Sequence, residues 1–197
     1  MALYFARHGE TNWNRVHRWQ SRTDIPLNRA GRQQARALSQ LIRSRDIVFT
    51  RVVCSPLSRA RETAEILMDG FDPALEIDSR LLELDLGQFE GRLESDLGKE
   101  LGKRYDEWKS RMYLDPAPSG EGILDVARRV EPVLPVLLDT PGHVLIVGHQ
   151  GVNMALKAKL SNCFTVGCLS SFRQRNDEID LWEITPPRSV TRISARD

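Results

Sequence analysis

Two apolar runs in this sequence end close to a histidine: "LYFA" leads into Arg7 and His8, and "HVLIVG" leads into His149. Arg59 lies just beyond another such run, "FTRVVCS". Two guanidiniums and two imidazoles gathered at one site suit an anion with several oxygens, because arginine forks match phosphate bidentately. A neutral imidazole facing phosphorus can act as a nucleophile. Arg7, Arg59 and the second histidine would spread the charge of the transferring group. The leaving oxygen still needs a proton, and "LLELDLGQFEG" offers Glu83, Asp85 and Glu90. Glu83 follows an apolar pair, a setting that raises a carboxyl toward the range of a general acid. A surface carboxylate fits the same pattern, so the residues alone leave both readings of Glu83 open. No metal site is expected: the chain has four histidines, none in an HExxH arrangement, and His17 and His143 lack a partner at ligand spacing.

These groups need elements to carry them. Leu3, Tyr4 and Phe5 predict a buried first strand, Phe49–Ser55 a second, and His143–His149 a strand covered on both faces. Residues 28–45 predict a helix capped by Asn28, with Ala35, Leu38, Leu41 and Ile42 on one face. Ser55 and Pro56 suit the cap and first position of the next helix. Residues 123–138 read as helical with a break near Glu131, since Pro132 and Pro135 lie inside. A helix follows His149. "SFRQRNDEIDLWEI" alternates around Asn176-Asp177 and predicts a hairpin, and the polar tail after Pro187 predicts a loose end. Strands alternating with helices imply a largely parallel sheet, where ligands bind beyond the carboxyl ends of the strands. His8, the turn before Arg59 and His149 all fall there.

Bulk properties narrow the class. The chain has 197 residues, 41% hydrophobic and 28% charged, which suits a globular enzyme. A net charge of +1 provides no global field toward nucleic acid. No stretch approaches a membrane span, and Ala2–Ala6 is too short for a signal peptide core. A cytoplasmic location is expected, with Cys54, Cys163 and Cys168 as reduced thiols.

"RHGETNWN", "SPLSRARETA", "LLELDLGQFEG" and "VGHQGVN" resemble the signature segments of the histidine phosphatase superfamily, in its phosphoglycerate-mutase-like branch. They occur in the family's order and span Arg7 to Asn153. The resemblance implies one domain over residues 1–197, a three-layer α/β sandwich with a mostly parallel central sheet. The charged, aromatic stretch at about 88–122 would be a small cap insertion. It implies His8 as the phosphorylated nucleophile, Arg7, Arg59 and His149 as the phosphate pocket, and Glu83 as proton donor and later base. Asn14 and Gln20 match phosphate-binding positions, and Gln150 is counted with them. Ser21 stands where relatives often have glycine and could hydrogen-bond the substrate. Gly122 stands where many relatives have serine. The family needs no metal and no organic cofactor for phosphatase action.

The expected function is therefore hydrolysis of a small phosphorylated metabolite through phosphohistidine, with neither nucleic acid nor membrane as partner and a homodimer left open. A cofactor-dependent phosphoglycerate mutase is the alternative, disfavoured by the short span between Glu83 and His149 and by the "WQS" loop. A non-catalytic phosphate-binding module is a third reading, opposed by the intact set of reactive groups. Arg18, Trp19, Arg22, Arg92, Trp108 and Arg111 are the candidate selectors of the substrate.

Overall fold

The computed structural model describes residues 1–70, 73–184 and 189–196. In chain order, β1 is Ala2–Arg7, α1 Asn12–Arg15, α2 Arg29–Ser44, β2 Phe49–Cys54, α3 Ser58–Leu67 and β3 Leu75–Ile77. Helices α4 (Glu94–Leu101), α5 (Lys103–Arg111), α6 (Ile123–Val130) and α7 (Val133–Leu138) come next. The chain closes with β4 (His143–Gly148), α8 (Gln150–Ser161), α9 (Val166–Ser171), β5 (Glu178–Glu183) and β6 (Val190–Ser194).

The strands form a six-stranded sheet in the order β3-β2-β4-β1-β5-β6. The pairs β3–β2, β2–β4 and β4–β1 are parallel, and β5 and β6 add antiparallel at one side. Because side chains alternate along a strand, β1 supplies both faces. Leu3 and Phe5 join a core with α6 and α8, while Ala2, Tyr4 and Ala6 join a second core with α2 and α3. That explains the unbroken apolar runs of β1 and β4: both faces are covered, giving helix, sheet and helix layers.

Local signals were followed where the partner is near in sequence. Asn28 caps α2 by accepting from the Gly31 N–H at 2.8 Å. The helical run after Ile123 breaks at Glu131–Pro132, and Pro135 falls in the first turn of α7, where its missing N–H is tolerated. Three expectations are corrected. Helix α3 begins at Ser58 rather than Pro56, because the Asp24 carboxylate, from a distant loop, accepts from the Ser58 N–H at 2.8 Å. The hairpin pairs β5 with β6 instead of turning at Asn176-Asp177, so residues 190–194 of the expected loose tail form an edge strand. Thr185, Pro186, Pro187, Arg188 and Asp197 lie outside the described residues.

The cysteines also differ from expectation. Cys54 is a buried thiol, but Cys163 and Cys168 form a disulfide. The left-handed C-cap of α8 at Asn162 turns the chain back, and Thr165 caps α9 three residues later, which leaves the two Cα atoms 6.1 Å apart. Behind β5, the fully buried Lys157 of α8 pairs with Asp180, which also accepts from Arg192 Nε at 2.7 Å. Burial lowers the Lys157 pKa to about 8 against the pull of Asp180.

Candidate active site

Parallel register brings the reactive groups together. Arg7 on β1 lies opposite Gly148 on β4, and Cys54 on β2 lies opposite Val147. All three strands therefore end at one edge, and the next residues are His8, His149 and Ser55. The ring centroids of His8 and His149 are 5.1 Å apart, and both rings are buried. Beside them opens a cleft of about 730 Å³, whose lining includes Arg7, Asn14, Gln20, Glu83 and Gln150.

His8 is oriented by its own loop. Its Nδ1 lies 2.7 Å from the Gly9 carbonyl. A carbonyl only accepts, so Nδ1 carries the proton and Nε2 keeps its lone pair. Burial, then Arg59 and Arg7, push the His8 pKa well below the ordinary imidazole value, so the ring is neutral at pH 7. The loop sits hard against α2: a Cβ on Gly9 would lie 2.5 Å from the Gly31 carbonyl oxygen, so only glycine allows this approach.

His149 is fixed by a residue that the sequence assigned to helix capping. The Ser55 Oγ lies 2.8 Å from His149 Nε2 and accepts weakly from the Leu57 N–H at 3.4 Å. When the Ser55 hydroxyl donates to Nε2, the proton of His149 stands on Nδ1. Nδ1 is buried with no protein partner. Burial and the neighbouring Arg59 lower the His149 pKa well below the usual value.

Arg59 is fully buried on α3. Its Nη1 donates to the Thr23 carbonyl at 2.9 Å and Nη2 to the Ser21 carbonyl at 2.5 Å. The Gln20 amide satisfies its surroundings when its oxygen accepts from Arg59 Nε at 2.7 Å and Nη1 at 3.1 Å, with its nitrogen donating to Thr11 Oγ1 at 2.5 Å. Four of the five guanidinium N–H groups are then used, and one remains for a ligand. Burial lowers the Arg59 pKa to about 10, which still leaves it charged at pH 7. Arg7 Nη1 donates to the Gln174 carbonyl at 3.0 Å, and its buried Nε has no protein partner.

Glu83 is buried at the N-terminus of α8. Its Oε1 accepts from the N–H groups of Leu84 at 2.7 Å, Gly151 at 2.9 Å and Val152 at 3.2 Å. Burial raises its pKa, while the backbone donors and the charges of Arg59 and Arg7 oppose the rise. Gly151 is required for this seat, because a Cβ there would stand 2.7 Å from Glu83 Oε1.

The remaining expected residues divide. Asn14 lines the cleft, and its Oδ1 accepts from the Thr11 N–H at 3.1 Å. Gln150 also lines it. Its Oε1 accepts from the Gln174 N–H at 3.0 Å, and its buried Nε2 has no protein partner. Gln20 reaches the cleft but is committed to Arg59 and Thr11. Ser21 does not face the cleft: its Oγ accepts from the Leu86 N–H at 3.2 Å, joining the first loop to the Glu83 loop. Of the candidate selectors, Arg18 and Trp19 line the cleft, and Trp19 donates to the Tyr105 hydroxyl at 2.9 Å. Trp108 packs edge-on behind Trp19. Arg22 pairs with Asp85 and Glu121, Arg92 with Glu100, and Arg111 with Asp115. Sequence reasoning missed residues 172–177. Arg7 is held there by Gln174, whose Nε2 donates to the Phe5 carbonyl at 2.7 Å, and Asn176 Nδ2 donates to the His8 carbonyl at 2.7 Å. Among the described residues, no group of three or more His, Cys, Asp or Glu side chains could hold a metal ion. No described helix is long and apolar enough to cross a membrane.

A mostly parallel sheet with paired histidines and arginines at its carboxyl edge defines the class. The profile of the Histidine phosphatase superfamily, branch 1, matches residues 3–190, and the chain belongs to that superfamily. Among its relatives, the probable phosphoglycerate mutase GpmB of Erwinia tasmaniensis is 35% identical over 155 residues, covering 76% of this chain and 69% of that protein. The alpha-ribazole phosphatase of Shigella flexneri superposes with a TM-score of 0.81 at 29% identity, over 98% of this chain and 95% of the other. A mycobacterial glucosyl-3-phosphoglycerate phosphatase, solved with VO3, gives a TM-score of 0.85 at 25% identity, over 98% and 97% of the two chains.

Proposed function

We propose that this protein is a metal-independent phosphatase that hydrolyses a small phosphomonoester through a phosphohistidine on His8. The observation that carries this reading is the tautomer of His8. With Nδ1 committed to the Gly9 carbonyl, the lone pair sits on Nε2 of a ring that lies beside His149 and feels the charges of Arg59 and Arg7. The Nε2 atom attacks phosphorus, the P–N bond forms, and the ester P–O bond breaks. Glu83 gives its proton to the leaving oxygen. Glu83, now a carboxylate, then takes a proton from water, whose oxygen attacks phosphorus and releases phosphate as the P–N bond breaks. Arg7 Nε, His149 Nδ1 and the spare Arg59 N–H are the donors that bind the transferring oxygens, together with the Asn14 and Gln150 amides. Gln20, Ser21 and Ser55 position Arg59, the first loop and His149. Residues 88–122, carrying α4 and α5, serve as a cap packed on Trp19.

The name of the Erwinia relative keeps a mutase reading in play, in which a phosphoglycerate rather than water accepts the group from His8. The two structural relatives named as phosphatases favour water. The test is hydrolysis of p-nitrophenyl phosphate in excess EDTA. Turnover that persists and is blocked by vanadate supports the reading, and loss of turnover with EDTA alone contradicts it. Phosphate exchange between phosphoglycerates, without net release, would favour the mutase.

Arg59→Ala is expected to lower kcat/KM for p-nitrophenyl phosphate by roughly 10²-fold, about 3 kcal/mol of transition-state stabilisation, as for the loss of one oxyanion donor. An unchanged value would remove Arg59 from the site.

A further inference from the structure

The basic groups around the outer cleft are not equivalent. Lys109 pairs with Glu94 at 2.5 Å, Arg175 with Glu178 at 3.0 Å, and Arg192 with Asp180 at 2.7 Å. Arg18 donates to the Gly91 carbonyl at 2.5 Å and lies over the Trp13 ring. Arg173 differs. It is exposed, lines the cleft, and makes no ion pair among the described residues. Its guanidinium lies over the Tyr113 ring, 5.6 Å from the centroid. That contact and a side-chain hydrogen bond with Tyr113 hold the charge at a fixed place, and no described carboxylate takes its remaining N–H groups.

Arg173 is also tied to the phosphate end of the cleft. The next residue, Gln174, holds Arg7 through its carbonyl and β1 through its amide. The Arg173 carbonyl accepts from Arg192 Nη2 at 2.7 Å, so its own backbone is anchored. Tyr113 lines the same cleft, and the charges of both Arg7 and Arg173 act on its phenol. The cleft lining also holds Gln150, whose Nε2 has no protein partner, and the serines Ser170 and Ser171 of α9.

We propose that Arg173 is a specificity-determining residue that receives a second anionic group of the substrate. The preferred phosphomonoesters would then carry, on the portion that leaves, a carboxylate or a second phosphate. A guanidinium pre-placed in a cleft discriminates because its charge-assisted bonds form only with the anion. This inference rests on the phosphatase reading for its biological meaning, but its test does not need turnover.

The experiment is calorimetric titration of the whole protein with ω-carboxyalkyl phosphonates of graded length, each beside its methyl ester. Alkane bisphosphonates form a parallel arm that separates a phosphate from a carboxylate as the second anion. Wild type is expected to bind one length of anion about tenfold or more tighter than the neutral ester. In Arg173→Gln that ratio is expected to fall to about one, and in Arg173→Lys to an intermediate value. A wild-type ratio near one at every length overturns the proposal, whether or not the variants fold. So does an Arg173→Gln protein that keeps the wild-type ratio. Absence of p-nitrophenyl phosphate turnover beside an intact ratio would instead count against the phosphatase reading alone.

Discussion

His8→Ala will lose phosphomonoester turnover by roughly 10⁴-fold or more, the scale on which removal of a catalytic nucleophile is felt. The expectation follows from how little else in the site could take over. His149 is the other imidazole within reach, but its Nε2 is engaged by Ser55 and its remaining nitrogen is the one assigned to donate. Cys54 is buried, and its thiol pKa is pushed up to about 12 by burial, so no thiolate is at hand. Steady-state hydrolysis of p-nitrophenyl phosphate, with circular dichroism to verify folding, measures the loss. A folded His8→Ala protein that retains a tenth of the wild-type rate would move the nucleophile elsewhere.

Glu83→Gln will divide substrates by leaving group. For an alkyl phosphate, whose departing oxygen needs a proton, kcat/KM is expected to fall by about 10²–10⁴-fold. For p-nitrophenyl phosphate, whose leaving oxygen needs almost none, kcat/KM should change far less. Its kcat should still drop, because the carboxylate that activates water is gone, so product should appear in a burst. The glutamine keeps an oxygen to accept from Gly151 and Val152, which limits structural loss at the N-terminus of α8. Equal losses in kcat/KM for the two substrates would reject the acid role.

The same residue sets a pH dependence. Burial raises the Glu83 pKa above the ordinary carboxyl value. The active form for the first step is the protonated acid. The kcat/KM for alkyl phosphates therefore falls as pH rises through that raised value, and Glu83→Gln should lack this limb. His8 contributes no acid limb near its ordinary pKa, because its folded pKa lies well below it.

What could be read from the residues depended on where their partners lie. A parallel strand covered on both faces is a contiguous apolar run, so β1 and β4 were legible, and so were the histidines at their ends. The cap on α2 and the break at Pro132 involve neighbours within a turn. Ser55 was misread because its sequence context, before a proline, is that of a helix cap, while its actual partner His149 is 94 residues away. Gln20 was read as a phosphate ligand from the resemblance; its contacts with Thr11 and Arg59 were not legible, because they form only in the folded loop. The wall at 172–177 was read as the first arm of an alternating hairpin and not as part of the site. It is held by side-chain bonds to the end of β1, and the signal available was the cluster of amides and arginines in "RQRN". The Cys163–Cys168 bridge depended on the turn at Asn162, which spacing alone does not reveal.

The most direct test of the central claim is to trap the intermediate. Glu83→Gln, with water activation slowed, would be mixed with a radiolabelled aryl phosphate, denatured in alkali, digested and mapped. The account predicts label on the peptide containing His8, stable in base, released by acid, and absent when His8 is also replaced by alanine. An enzyme that turns over the ester without ever carrying label, or that carries it on another residue, would contradict phosphoryl transfer through His8.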